Sequence, residues 1–506
     1  MNLAHIIDEH DAESVALISR GRATTYGDLR TQVAAFRGGL SEAGIVAGDR
    51  IALLIGNSRH FVVSYLAVIG LGAIAVPLNP ASPAPEVTGQ LVAVGARAVV
   101  VDRSGDINWS QVDRSDVPDV DLVVSSDGPD VPAGVVAFDS LLDATPVSTV
   151  DVEPSHVAAL MFTSGTAGAP RAAMLTHGNL MANLEQGLSA EGHIERGDVI
   201  FGVLPLFHIF GLNVVVGLGL WVGATLVLIQ RFDPATAIQS IADRGITVIP
   251  GAPAMWTAFA HFDELGADAF AGVRLALSGA SRLPVSVAEK MRDRFGIEIS
   301  EGYGLTEASP IVTTSTGVRP RFGSVGRALN GVEVRLVNSN GEALVGDIGE
   351  VLVRGPNVFP GYYEDPEATS AVFAEDGWLR TGDLATADDD GYLYLVDRTK
   401  DLIIVSGFNV FPAEVEEMLV LHPAVAEAAA VGVPHPHTGE AVKVFVVTAP
   451  GEEVDEEMLI EFSLDHLARY KCPTKVIFVE SLPRNASGKL VRRHLDDALR
   501  VGTVLD

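Results

Sequence analysis

The sequence predicts an α/β protein: a large N-terminal region of several subdomains on mostly parallel sheets with a small antiparallel unit, then a small α+β C-terminal region. Three observations predict this. Over the first 400 residues, short β-branched runs alternate with longer helical patterns, the rhythm of buried parallel strands joined by helices. After Arg327 the texture changes to strand-like runs separated by Gly- and Asp-rich turns. The last part of the chain mixes helical and strand-like runs. A length of 506 residues implies roughly three or four units of about 100–200 residues. Apolar residues, 48% of the chain, are enough to fill their cores, and a charged fraction of 20% argues against long disordered segments.

In chain order, Arg50-Ile51-Ala52-Leu53-Leu54-Ile55 reads as a strand before a helix near residues 61–71. Ala98-Val99-Val100-Val101 and Thr247-Val248-Ile249-Pro250 read as buried strands, the second leading into a helix from about Ala254. Residues 102–150 are more polar and irregular, and are expected to form a surface excursion. Residues 199–229 are apolar almost throughout and exceed the roughly 20 residues that span a bilayer. The break Leu204-Pro205-Leu206-Phe207-His208 and the later run Ala224-Thr225-Leu226-Val227-Leu228-Ile229 instead give strand, turn, buried helix and strand. No integral membrane span is expected. Further on, Val332-Glu333-Val334-Arg335-Leu336-Val337 and residues 349–353 and 392–396 read as strands, with Asp390-Gly391 as a hairpin turn. Helices are expected near 413–421 and 456–467, with strands near 426–431 and 442–447. There is no Gly/Ser- or Pro-rich linker and no internal repeat.

Acidic residues outnumber basic ones 65 to 35, for a formal charge of −30. That excess repels nucleic acid and anionic headgroups, so neither is an expected partner. Any polyanionic ligand then needs a site that is locally basic or rich in donors. The single cysteine, Cys472, can form no internal disulfide, and Met1-Asn2-Leu3-Ala4-His5 carries no secretory pattern. Together they point to a reducing cytoplasm.

The run Phe162-Thr163-Ser164-Gly165-Thr166-Ala167-Gly168-Ala169-Pro170-Arg171 follows a strand-like stretch. Its three hydroxyls and two glycines offer side-chain donors and backbone N–H groups that can turn toward a phosphate. Pro170 disfavours helix at Ala169 and keeps the loop open. No Gly-Lys-Ser/Thr closes it, so it is not a Walker loop. Taken alone, it leaves open an ordinary Ser/Thr/Gly turn.

Further motifs follow: Glu301-Gly302-Tyr303-Gly304-Leu305-Thr306-Glu307, Thr381-Gly382-Asp383, Asp397-Arg398-Thr399-Lys400-Asp401, Ser406-Gly407-Phe408-Asn409-Val410, and Pro483-Arg484-Asn485-Ala486-Ser487-Gly488-Lys489. With the loop and these five motifs in order, the chain resembles the adenylate-forming superfamily of acyl-CoA synthetases, luciferases and peptide-synthetase adenylation domains. The resemblance runs from Thr25-Tyr26-Gly27-Asp28-Leu29 to Lys489. It implies an N-terminal AMP- and acyl-binding domain of residues 1–397 and a mobile C-terminal domain of residues 398–506, hinged near Lys400.

The resemblance also implies roles. Thr163, Ser164, Gly165, Thr166, Ala167, Gly168 and Arg171 would clamp the phosphates of ATP. Gly279, Ala280, Ser281, Glu301, Gly302, Tyr303 and Gly304 would line the nucleotide, Tyr303 offering a flat face near adenine. Thr306 would donate to the α-phosphate. Glu307, with Thr163 contributing, would hold Mg2+, which takes hard oxygen ligands. Asp383 would accept from both ribose hydroxyls, and Arg398 would meet ribose or phosphate oxygens. Lys489 would be the adenylation lysine, its cation offsetting charge that builds as a carboxylate attacks the α-phosphate. Lys489, Thr306 and Glu307 form the expected catalytic set. His208, Gly279, Ala280, Gly304 and Leu305 would line the acyl site, and Ser406, Gly407 and Phe408 would meet CoA. In isolation several have plainer readings: His208 as a hydrogen-bonded core histidine, Asp383 as a turn residue, Lys489 as a surface lysine. The sequence departs from the family's loop pattern at Ala167 (usually Thr), Arg171 (usually Lys) and Ala172 (usually Gly); Arg171 keeps the charge in a different shape.

The aspartate with which peptide-synthetase domains hold an amino group is absent, which favours an unsubstituted carboxylic acid. Residues 406–416 most resemble fatty-acid–CoA ligases, so the expected reaction joins a medium- or long-chain fatty acid to CoA through acyl-AMP, with ATP, Mg2+ and CoA as co-substrates and cofactor. A short-chain or aryl acid, a carrier-protein phosphopantetheine as acceptor, luciferase-like oxidation and a non-catalytic nucleotide sensor stay open. So does the choice between monomer and homodimer.

Overall fold

A computed structural model describes residues 1–126, 134–163, 171–262, 264–338, 340–344, 346–485 and 489–495, without the side chains of Asp106, Ile107 and Arg493. The chain forms two compact units: Met1–Glu333 with Val353–Leu379, and Val334–Leu352 with Arg380–Asp506.

The first unit is built on two sheets. One has seven strands in the order Val136–Ala137, Leu122–Ser125, Ala98–Val101, Arg50–Leu54, Ile74–Pro77, Val157–Thr163, Arg171–Thr176. All pairs are parallel except the last. The other has nine strands, in the order Arg327–Ala328, Ile311–Thr314, Ile299–Gly304, Leu275–Ser278, Val248–Gly251, Val199–Gly202, Thr225–Leu228, Val15–Ser19, Arg22–Thr25. Its middle pairs are parallel and its margins antiparallel. The helix Arg59–Gly70 touches strands of both sheets, and every residue from Phe61 to Gly70 is buried. A helix that is apolar on all sides needs such a sandwiched position.

The expected alternation holds, and Ala98–Val101 is a strand with the expected ends. Residues 199–229 form the strand Val199–Gly202, a turn, a π-helix Phe210–Leu218 continued by Gly219–Val222, and the strand Thr225–Leu228. Gly223, at φ +81°, ends the helical run. Among the described residues, no helix is long and apolar enough to cross a membrane. One expectation needs correction. Residues 102–150 are not wholly a surface excursion, because Leu122–Ser125 is a fully buried strand of the seven-stranded sheet. Its Leu-Val-Val core is too short to announce itself in a polar context.

In the second unit, an antiparallel hairpin pairs Leu379–Ala387 with Leu393–Arg398, and its turn carries Gly391 at φ +80°. Asp390-Gly391 is therefore a hairpin turn, as its composition predicts. A second sheet orders Phe408–Val410, Ile403–Val405, Gly439–Thr448 and Val425–His435, with Lys475–Phe478 parallel to Gly439–Thr448. Helices Pro412–Val420 and Glu456–His466 cover it, burying Val415, Leu419 and Leu459 against Val442, Val444 and Val446.

Candidate active site

In the first unit, candidate residues gather at the carboxyl ends of adjacent parallel strands, where open α/β sheets bind ligands. Register pairs Gly251 with Ser278, and Ser278 with Glu301. Past Ser278 the chain turns through Gly279 and Ala280, the latter at φ +72°. A Cβ on Gly279 would lie 3.0 Å from the Phe210 ring. That places Gly279 against the helix that follows His208. His208 is half-buried and its Nδ1 accepts from the Phe210 amide at 3.3 Å. Its turn is held by Asn57, whose side chain donates to Leu204 O (2.8 Å) and Gly202 O (3.1 Å) and accepts from the Leu206 amide (3.0 Å).

The strand Ile299–Gly304 delivers Glu301, Gly302, Tyr303 and Gly304 to the same edge, and Thr306–Ala308 is a short 3-10 turn. Gly304 admits no side chain, since a Cβ there would sit 2.1 Å from Pro310 O. Three buried amides then fix the turn. Asn357 donates to Ala308 O (2.8 Å), Asn213 to Ser309 O (2.7 Å), and Asn183 both donates to and accepts from the Ile311 backbone (2.8 and 3.1 Å). All three are at most 2% exposed. With both hydrogen-bonding functions drawn out of water, displacing this segment would leave several buried polar groups unpaired.

Thr306 and Glu307 are half-buried on this turn. Glu307 Oε1 accepts from the Tyr362 hydroxyl at 2.8 Å. Burial and the adjacent Glu307 carboxylate raise the Tyr362 phenol above its ordinary range. Thr163 and Arg171 face each other as a register pair in the antiparallel strands on either side of residues 164–170. Arg171 lies 3.3 Å from Asp365 Oδ2 and 5.9 Å from the centre of the Tyr362 ring. Ser164, Gly165, Thr166, Ala167 and Gly168 fall outside the described residues.

Glu301 is buried, and burial pushes its carboxyl up to about 7, against the Leu283 amide and the Arg282 charge. Folded protein therefore holds a proton that the unfolded chain releases between about pH 4.5 and 7. Stability should fall as pH rises through that window and level off above it. Glu301→Gln should remove this slope, matching wild type near pH 4.5 and exceeding it at pH 8 by about 3 kcal/mol at most. Urea unfolding at pH 5, 6, 7 and 8 reads the difference.

In the second unit, residues from three sequence motifs meet. Asp383 is a strand residue with 6% exposure, not a turn residue, and Gly382 before it takes φ +71°. Arg398, its register partner, donates from Nε to Asp383 Oδ1 at 2.9 Å. Lys489 lies within electrostatic reach of both, and of Lys400 and Asp401. Burial and the Arg398 charge push its ammonium down to about 8, with Asp383 opposing. Its backbone is fixed by a reciprocal pair: Lys489 N donates to Asn485 Oδ1 and Asn485 N to Lys489 O, each at 2.9 Å.

Ser406 and Gly407 form the turn of a hairpin between Ile403–Val405 and Phe408–Val410, at φ +51° and +83°. Phe408 is 56% exposed and stacks on Tyr470 with ring centres 4.8 Å apart. The amides Asn183, Asn213 and Asn357, together with Tyr362 and Tyr470, escaped the sequence reading. A lone Asn inside an apolar helix, as at Asn213, is the signal that marks such a clamp.

Among the described residues, no cluster of three or more His, Cys, Asp or Glu side chains can hold a metal. A divalent ion that takes most of its ligands from phosphate and water needs no such cluster, and the Glu307 carboxylate is a donor of the hard type Mg2+ accepts.

Compared with known families, residues 5–363 match the AMP-binding enzyme family and residues 414–489 match the AMP-binding enzyme C-terminal domain. The chain belongs to the AMP-binding enzyme family. Among curated members, it is 33% identical over 500 residues to 4-coumarate–CoA ligase 3 of Oryza sativa subsp. japonica, covering 95% of this chain and 88% of that protein. It is 32% identical over 514 residues to a long-chain-fatty-acid–CoA ligase of Bacillus subtilis (strain 168), covering 96% and 91%. Among solved structures, ATP-bound MatB from Rhodopseudomonas palustris superposes with a TM-score of 0.91 at 31% identity, covering 99% of each chain. With CoA ligases among the family members it matches over most of its length, the chain is an ATP-dependent, AMP-forming acid–thiol ligase.

Proposed function

We propose that this ligase activates an unsubstituted carboxylic acid as acyl-AMP and passes the acyl group to CoA. The observation that carries the reading is the joint presence of two pre-set groups of side chains. One is the Thr306–Glu307 turn, fixed by three buried amides. The other is the Asp383–Arg398 pair with Lys489 beside it.

In the first half-reaction the acid's carboxylate oxygen bonds to the α-phosphorus of ATP and pyrophosphate leaves. Thr306 and Lys489 stabilise the charge that develops on the α-phosphate. Asp383 accepts from the ribose hydroxyls, while Arg398 both orients Asp383 and meets nucleotide oxygens. Glu307, with Thr163, would hold magnesium, which would offset phosphate charge. Tyr303, Gly279, Ala280, Ser281, Glu301, Gly302 and Gly304 bound the nucleotide, and Ser164, Gly165, Thr166, Ala167, Gly168 and Arg171 clamp its phosphates. In the second half-reaction the CoA thiolate attacks the acyl carbonyl and AMP leaves. Ser406, Gly407 and Phe408 receive the thiol's tether, and Lys400 is the hinge between the N-terminal domain, residues 1–397, and the C-terminal domain, residues 398–506, that separates the two steps.

The acid is a medium- or long-chain fatty acid, on the apolar wall that follows His208 and the likeness to the B. subtilis ligase. One observation favours a second reading, an aryl acid: the ring of Phe210 packs against Gly279, and the rice 4-coumarate ligase is as similar as the fatty-acid ligase. Acyl-CoA formation across saturated C4–C18 acids and hydroxycinnamates separates them. Highest kcat/KM among C8–C16 acids supports the fatty-acid reading. Highest kcat/KM with hydroxycinnamates replaces it with the aryl one, and pyrophosphate release without any acyl-CoA rules out CoA as acceptor.

A further inference from the structure

We propose that Tyr362 is a positioning residue for the Glu307 carboxylate, and that Arg171 and Asp365 hold Tyr362 in place for that task. The proposal rests on Glu307 being the magnesium-side carboxylate.

Tyr362 is 8% exposed and spends its hydroxyl on Glu307 Oε1 at 2.8 Å. The same segment also grips the Glu307 backbone, because the Phe359 amide donates to Glu307 O at 2.9 Å. The Phe359 and Tyr362 rings meet edge to face with centres 5.0 Å apart, so the two grips move together. A backbone bridge from Tyr362 to Ala173, and the Met174 amide donating to Gly361 O, stitch this segment to the strand Arg171–Thr176.

Arg171 begins that strand, directly after residues 164–170. Its guanidinium sits over the Tyr362 ring and pairs with Asp365 Oδ2. Asp365 is itself fixed: its Oδ1 accepts from the Ala368 amide at 2.8 Å and caps the helix Pro366–Val372. A planar guanidinium can lie over a ring while its edge donates to a carboxylate, which a lysine ammonium does less well. The departure from the family's usual lysine at this position thus has a local structural partner. One oxygen of Glu307 is tied down, so the direction of the other is set before a cation arrives. Groups that orient a ligand in this way are worth about 10–100-fold in metal affinity or activity.

The test is equilibrium binding of ATP, without acid or CoA, in excess Mg2+ and in excess EDTA. Wild type, Tyr362→Phe, Glu307→Gln and the double variant are compared. Tyr362→Phe should weaken binding about tenfold in Mg2+ and less than twofold in EDTA. The double variant should bind no more weakly than Glu307→Gln alone. Equal losses in both buffers, from misfolding or from a merely structural role, would overturn the proposal, as would independent losses in the double variant. If Glu307→Gln itself leaves the Mg2+ dependence intact, it is the underlying assignment of Glu307 that fails.

Discussion

Lys489→Ala should slow acyl-adenylate formation by about 10²–10³-fold while leaving thioester formation from supplied acyl-AMP within a few-fold of wild type. The attack of a carboxylate on the α-phosphate brings two anions together, and that repulsion is largest in the first step. In the second step a thiolate attacks an acyl carbonyl and AMP leaves, so a cation over the phosphate matters less. The environment of Lys489 adds a pH signature. Its ammonium, pushed down to about 8 by burial and by Arg398, loses its proton as pH rises through that value. Adenylation by wild type should therefore decline above about pH 8, whereas the residual rate of Lys489→Ala should be flat across the same range. Single-turnover measurements of each half-reaction from pH 6.5 to 9.5 provide both readouts. Equal loss of the two steps would contradict the assignment.

Asp383→Ala should raise the KM for ATP about 10–100-fold, with a smaller change in kcat. Asp383 is 6% exposed and carries an ion pair to Arg398, so its carboxylate is held in one direction before any nucleotide arrives. Hydrogen bonds to a charged acceptor are worth about 1.5–3 kcal/mol each, and ribose offers two hydroxyls. The net loss is kept to the worth of about one such bond because Asp383 Oδ1 is already engaged by Arg398, and removing that ion pair in the variant also alters the field at Lys489. Asp383→Asn separates the two effects. It keeps an oxygen acceptor and removes the charge, so it should raise KM less than alanine does. Titration of ATP at saturating acid and CoA measures both variants.

The sequence announces the architecture most clearly where hydrophobic pattern and chain connectivity coincide. Ala98–Val101 is apolar because it lies inside a parallel sheet, and the stretch after His208 reads as helix because the break at residues 204–208 and the strand-like run 224–229 bracket it. The motifs proposed to face the ligands are legible for a similar reason: each packs its chemistry into a few consecutive residues. What holds those motifs in place is not local. Asn357 reaches Ala308, Asn183 reaches Ile311 and Tyr362 reaches Glu307 across 49, 128 and 55 residues of sequence. Such bonds leave no periodicity in either partner. Asp383 was open to two readings because Gly382 suggests a turn, yet its positive φ is accommodated within a strand. Leu122–Ser125 was hidden by the polar residues around it, since a short strand buried on both faces carries no alternation to detect.

Joining of an acid to AMP with release of pyrophosphate is read by acid-dependent exchange of labelled pyrophosphate into ATP without CoA. Exchange should require both the acid and Mg2+, be lost in EDTA, and fall about 10²-fold or more in Lys489→Ala. Exchange that proceeds without acid, or no exchange with any carboxylic acid that supports binding, would contradict it.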